Sequence, residues 1–235
     1  MTLKLAVLAS GRGSNLATFI DCARQGRLEA DIVLVLSNNP AAPALELARQ
    51  AGLATWSADH RSYPSREAFD QSMLEAIARA GADTVALAGY MRILSAPFIQ
   101  AFPGRILNIH PALLPAFPGG HSVRDAIDYG ARLSGCSVHF VDEKMDNGPL
   151  IIQAAVPLRN EEQCDDEGSL HARIQEYEHR VYPQALQWLA EGRLSLEGRK
   201  VRLLPSSAGH TAPAASAVTG TTGGPALVCP PLEKF

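Results

Sequence analysis

Short apolar runs alternate with segments of helical spacing through the first 110 residues, and that alternation most constrains what this chain can become. Leu5–Ala9, Ile32–Leu36, Val85–Ala88 and Leu107–His110 read as buried strands. Between them, Asn15–Gln25, Ala42–Gln50 and Arg66–Ala80 carry apolar residues at helical intervals; in the last, Leu74, Ile77 and Ala78 make one stripe opposite charged neighbours. Strands that alternate with helices build βαβ units, so the fold class expected is α/β, a mainly parallel twisted sheet with helices on both faces. Ligands of such sheets bind outside the carboxyl ends of the strands.

Beyond residue 110 the pattern changes. Pro111, Pro115, Pro118, Gly119 and Gly120 make a stiff loop, and Val123–Tyr129 a short helix. Ser137–Val141 and Leu150–Val156 are β-rich and joined by the loop Asp142–Gly148, which introduces a late antiparallel strand. A long helix is predicted over Glu167–Glu191, interrupted or kinked near Pro183. Leu194–Leu196 and Val201–Leu203 flank Glu197-Gly198-Arg199 as a small hairpin. From Ser206 the composition shifts to Ala, Ser, Thr, Gly and Pro with almost no charge before Glu233. Such a segment buries too little apolar surface to offset its ordering entropy, so residues 206–235 are expected to be a disordered tail behind one domain over 1–205.

Charge narrows the function classes. A net charge of −3 provides no basic field for nucleic acid or an anionic membrane. Charged residues interrupt every apolar run before it reaches spanning length. The start, Met1 to Ser10, flows into a glycine loop and reads as a first strand rather than a signal peptide. Cys22, Cys136, Cys164 and Cys229 lie far apart without metal-ligand spacing, which predicts a reduced, cytoplasmic protein with no metal.

Three constellations carry chemistry. In Arg105–His110 a period of two puts Asn108 and His110 on one face, and Pro111 ends the strand with both at its carboxyl end. With Asp146 of Met145-Asp-Asn-Gly-Pro149 they are the parts of an acyl-transfer site: an amide and a protonated imidazole to hold an oxyanion, and a carboxylate to favour the imidazolium. One oxyanion donor is typically worth roughly 10²–10³ in rate. Ser10-Gly-Arg-Gly-Ser-Asn15 follows the first strand and opens a helix, as a loop for a small phosphate would, with Ser14 otherwise a helix cap. Its order is neither a dinucleotide fingerprint nor a Walker loop. Gly89-Tyr-Met-Arg-Ile-Leu94 leaves a strand end with one arginine among apolar residues, which suits either a flat ligand bearing carboxylates or ordinary loop packing. His139 is a strand residue of undetermined face, and His171 and His179 are solvated or packed helix residues.

These motifs, with Leu107–Pro115 and Gly135–Val141, resemble the folate-dependent phosphoribosylglycinamide formyltransferase family over about residues 3 to 203. The resemblance implies a transfer of formyl from 10-formyltetrahydrofolate, as cosubstrate and without metal, to the amine of glycinamide ribonucleotide in de novo purine synthesis. It implies Asn108, His110 and Asp146 as catalytic residues. Gly13, Ser14 and Asn15 would bind the ribonucleotide phosphate and Glu178 its ribose hydroxyls. Met91, Arg92, Leu94, Asn108 and Val141 would form the folate pocket, with Arg66 near the folate tail or the substrate phosphate. The phosphate-binding half would then cover about 1–100 and the folate and catalytic half about 101–205. The partners implied are these small molecules, with no nucleic acid or membrane; monomer and homodimer both stay open.

Two departures stand out: Asn147 replaces the first glycine of a usual Gly-Gly pair, and residue 116, Ala116, is not basic. Formyltetrahydrofolate hydrolase shares the same trio but passes formyl to water, and normally carries an amino-terminal regulatory domain. Methionyl-tRNA formyltransferase needs a basic RNA-binding domain, which the near-neutral tail does not supply. A non-catalytic folate- or phosphate-binding module would have no need of the proton-transfer set.

Overall fold

The structure is a computed structural model that describes residues 2–159, 164–206, 217–219 and 225–233. The chain divides into two compact units, one of Met1–Asn108 with Phe140–Glu143 and one of Ile109–His139 with Lys144–Phe235. The division falls inside a strand, a little beyond the boundary near residue 100 expected above.

In the first unit the elements run β1 (Leu3–Leu8), α1 (Ser14–Arg24), β2 (Ala30–Ser37), α2 (Pro43–Gln50), β3 (Thr55–Ser57), α3 (Arg66–Ala80), β4 (Thr84–Leu87), α4 (Ala96–Ala101) and β5 (Ile106–His110). The strands pair in parallel in the order β3-β2-β1-β4-β5. Every residue of β4, and all of β1 except Lys4, is buried, as parallel strands with helices over both faces must be. Helix α3 lays Phe69, Met73 and Ile77 into a core with Leu8, Leu36, Val85 and Ile106. Ser65 caps it, its hydroxyl accepting from the Ala68 N–H at 3.1 Å, and Gly81 ends it in the left-handed region at φ 69. The expected strands and helices are all present. Strand β3 and helix α4 were not foreseen, because three and six residues are too few to show a period.

The second unit contains α5 (Ser122–Tyr129), β6 (Leu133–Phe140), β7 (Leu150–Pro157), α6 (Glu167–Ala190), β8 (Leu194–Glu197), β9 (Lys200–Leu203), β10 (Ala217–Thr219) and β11 (Pro225–Cys229). Here pairing is antiparallel throughout: β6 with β7, β7 with β11, β11 with β10, and β8 with β9 as a separate hairpin. Gly135 permits the β6–β7 approach, since a Cβ there would sit 1.9 Å from the Ala154 carbonyl oxygen. Helix α6 opens with a capping box between Asp166 and Ser169 and is anchored by buried Arg173, which bonds Asp165 and the Pro157 carbonyl, both at 2.6 Å. It is not interrupted at Pro183 but continues through it as one element, with that proline buried.

The tail also differs from expectation in its described residues. Strand β11 covers the edge of β7, Val228 is fully buried, and Glu233 reaches Arg193 through two short contacts of 2.6 and 2.7 Å. The Trp188 indole donates to the same carboxylate at 3.2 Å, and the Glu233 N–H donates to Gln184. Composition misled because the order comes from outside the tail: an open strand edge that needs pairing and a buried guanidinium that needs a carboxylate. Glu233 raises the Arg193 pKa further above its ordinary value, with Glu191 adding to the effect. Replacing Glu233 by Ala is expected to lower stability by about 2–3 kcal/mol, less than for a wholly unpaired buried charge because Glu191 remains. Urea unfolding measures this; an unchanged midpoint would separate the tail from the stability of the unit.

Candidate active-site residues

In the first unit the strand order reverses between β1 and β4, and the loops that leave their carboxyl ends carry two of the three motifs. The loop after β1 ends at Gly13, which precedes α1 with φ 81. Any Cβ at Gly13 would meet the Ala44 Cβ at 2.8 Å, so glycine is required for both conformation and space. Having no side chain, it cannot cap α1, and the first-turn N–H groups at Ser14 and Asn15 are the kind an anion satisfies. Asn15 is buried and Ser14 half-buried.

Ser10, whose role was not foreseen, ties this loop to the one after β4. Its hydroxyl donates to Asn38 Oδ1 at 2.6 Å and accepts the Met91 N–H at 2.9 Å, while its own N–H donates to the Gly89 carbonyl. Beyond that junction Met91 is 75% exposed, whereas Leu94 is buried and Val141 packs partly buried against the core. The Arg92 guanidinium lies 5.4 Å over the Phe69 ring, and its Nε has no hydrogen-bond partner among the described residues. Burial pushes the Asp70 carboxyl above its usual range, against the Ser95 N–H and the nearby charges of Arg92 and Arg66. Arg66 itself is exposed at the start of α3 and pairs with Glu67 at 3.3 Å. Asn108 is half-buried at the end of this unit, paired in register with Leu87.

In the second unit His110 is buried at the carboxyl end of β5, the next same-face position after Asn108. Its Nδ1 stands 3.3 Å from Asp146 Oδ2 and its Nε2 2.8 Å from the Phe117 carbonyl. A carbonyl oxygen only accepts, so the Nε2 contact is a hydrogen bond with the proton on that nitrogen, and Nδ1 is the nitrogen turned toward the carboxylate. The Gly119 N–H donates to the same Asp146 oxygen at 2.8 Å, and buried His139 approaches the other at 3.8 Å. Among the described residues, Phe117 and Asp146 are the non-glycine residues of positive φ, at 51° and 50°. Backbone of that kind costs on the order of 1–3 kcal/mol per residue and persists where its surroundings over-determine it. Both strained residues touch the one histidine.

Glu178 is buried on α6, where its charge, after burial itself, helps hold the enclosed Cys136 thiol well above its ordinary pKa. His179 is half-buried, and burial lowers its pKa. Among the described residues no group of three or more His, Cys, Asp or Glu is placed to hold a metal, and no helix is long and apolar enough to cross a membrane. The structure therefore joins His110 with Asp146, and the Gly13–Asn15 loop with the Met91–Leu94 loop through Ser10. Sequence reasoning missed Ser10, Phe117 and the position of His139. Ser10 lies inside the glycine motif, but nothing local marks Phe117 as a left-handed residue.

Residues 3–186 match the formyl transferase family, and the chain belongs to it. It is 43% identical over 194 residues to the phosphoribosylglycinamide formyltransferase of Escherichia coli K12, covering 83% of this chain and 90% of that one. It is 46% identical over 191 residues to the trifunctional purine biosynthetic protein adenosine-3 of Drosophila melanogaster, covering 80% of this chain but only 14% of that protein's length. Among solved structures, glycinamide ribonucleotide transformylase 1 of Symbiobacterium toebii superposes with a TM-score of 0.84 at 46% identity, over 87% of this chain and 95% of its own.

Replacing Gly13 by Ala is expected to cost about 2 kcal/mol, from the strained φ and the contact with Ala44. Thermal unfolding of the variant checks this; a wild-type melting temperature would mean that the loop is free to adopt another conformation.

Proposed function

We propose that this chain transfers the formyl group of 10-formyltetrahydrofolate to the amine of glycinamide ribonucleotide, giving formylglycinamide ribonucleotide and tetrahydrofolate in de novo purine synthesis. Supporting this reading, beside family membership, is one observation above others: a buried His110 held against the Asp146 carboxylate by two strained backbone residues. A surface or purely structural histidine has no need of that arrangement.

In this reading the amine nitrogen attacks the formyl carbon, and the carbonyl oxygen becomes an oxyanion. Asn108 donates to that oxygen, while His110, whose two ring nitrogens already face Asp146 and the Phe117 carbonyl, contributes the field of its imidazolium rather than a further hydrogen bond. Asp146 stabilises the imidazolium and organises the route of the proton that the amine loses and the folate nitrogen gains as its bond to the formyl carbon breaks. The α1 amino end with Gly13, Ser14 and Asn15 takes the ribonucleotide phosphate, and Glu178 accepts from ribose hydroxyls. Arg92 supplies a cation for a folate carboxylate or ring oxygen, with Met91, Leu94, Asn108 and Val141 as lining and Arg66 near the tail or phosphate. No metal takes part. The protein works on small molecules in the cytoplasm, as a monomer or homodimer.

A spectrophotometric assay of tetrahydrofolate formation, run with and without glycinamide ribonucleotide, tests the reading. Release only with the ribonucleotide is the expected result; equal release without it would identify a hydrolase, and none in either case a binding module. Asn108→Ala should lower kcat by roughly 10²–10³, the usual loss for one oxyanion donor. Asp146→Asn should lower kcat while leaving folate affinity, read by fluorescence titration, near the wild-type value; loss of affinity with unchanged kcat would remove both residues from the chemistry.

A further inference from the structure

The loop that bears Asp146 is held from an unexpected quarter within the second unit. Lys144 and Met145 are exposed, so this side of the loop has little apolar anchorage. The hairpin of β8 and β9 turns at Gly198, whose φ of 60° the tight connection requires. At its tip the exposed Arg199 donates from its guanidinium to the Asn147 carbonyl at 2.6 Å. Asn147 directly follows Asp146, so this contact restrains the peptide adjoining the strained φ of Asp146. One residue further on, Gly148 is buried.

The hairpin is well placed to act as a brace because its root is fixed. Arg193, just before β8, donates from Nε to the Leu204 carbonyl at 2.8 Å, and the Leu204 N–H donates back to the Arg193 carbonyl at 2.8 Å. The same Arg193 is clamped by Glu191 and Glu233. An exposed arginine contact adds little to global stability, yet one stiffly mounted contact fixes where a strained loop sits.

We propose that Arg199 is a positioning residue for the formyl-transfer chemistry: it holds the Asn147 peptide and thereby sets the Asp146 carboxylate against His110. This rests on the reading of Asp146 and His110 as the proton-handling pair. Acting through the Asn147 peptide rather than on a substrate atom, Arg199 governs turnover rather than binding.

The test compares wild type with Arg199→Ala, Arg199→Lys and the control Arg202→Ala, which removes only a surface pair with Glu197 at 3.0 Å. Arg199→Ala should lower kcat about tenfold, as misplacement of a catalytic group does. The KM of each substrate should stay within about twofold, the mark of a group felt only in turnover. Hydrogen exchange at the amides of residues 145–148 should quicken in that variant, with an unchanged melting temperature. Arg199→Lys should recover part of both, since an ammonium also donates to a carbonyl, and Arg202→Ala should match wild type. Either change in Arg199→Ala without the other overturns the proposal, as does an equal effect of Arg202→Ala. If the wild type itself shows no ribonucleotide-dependent turnover, the functional reading fails separately. Exchange at residues 145–148 still decides then whether Arg199 braces the loop: unchanged exchange overturns it and faster exchange supports it.

Discussion

The double-sided burial of β1 and β4 is the constraint from which the first unit follows. With helices over both faces, the interior of that sheet has no room for polar chemistry, and functional side chains are driven to the strand ends and the loops that leave them. Because β2 lies on one side of β1 and β4 on the other, the strand order reverses at β1 and β4, the kind of switch point where sheets of this class bind ligands. The glycine loop after β1 and the Met91–Leu94 loop after β4 open there. Ser10 of the glycine loop accepts the Met91 N–H and donates to Asn38 just after β2, so a displacement of one loop is felt by the other.

In the second unit, strain and hydrogen bonding act together around His110. The imidazole faces a carboxylate through one nitrogen and a main-chain carbonyl through the other, and both contacts come from residues in left-handed backbone. Relaxing either residue to an ordinary φ would move an acceptor away from the ring. The local cost of holding them there is offset by the surrounding hydrogen bonds, of which the Gly119 N–H to Asp146 at 2.8 Å is one. His139 adds a second imidazole near the same carboxylate, so the charge on Asp146 faces more than one titratable neighbour.

The described part of the tail shows how weakly composition constrains a segment whose order comes from its neighbours. Residues 225–229 are Pro, Ala, Leu, Val and Cys, which look like a fragment of linker until the free edge of β7 is beside them. Glu233, the first charge after a long neutral stretch, is the residue that satisfies Arg193, whose side chain is only 6% exposed. A sequence pass sees each of these alone. Forty residues separate the two charges, and the local partner of Arg193, Glu191, gives no hint of the distant one.

Local sequence determined the alternation of strands and helices, the end of β5 at Pro111, the glycine needed before α1, and the placing of Asn108 and His110 on one strand face. All of these depend on periods of two or 3.6 residues, or on the restricted backbone of glycine and proline, and such preferences act over a few neighbours. Tertiary structure alone decided that Asp146 meets His110, that Phe117 turns its carbonyl onto the same ring, that α6 runs on through Pro183, and that the tail closes on β7 and Arg193. Each of the long-range contacts, Asp146 with His110 and the tail with β7 and Arg193, joins distant parts of the chain. Its free energy exists only once the strands have paired and water has left the groups between them, so no short window of residues carries its signature.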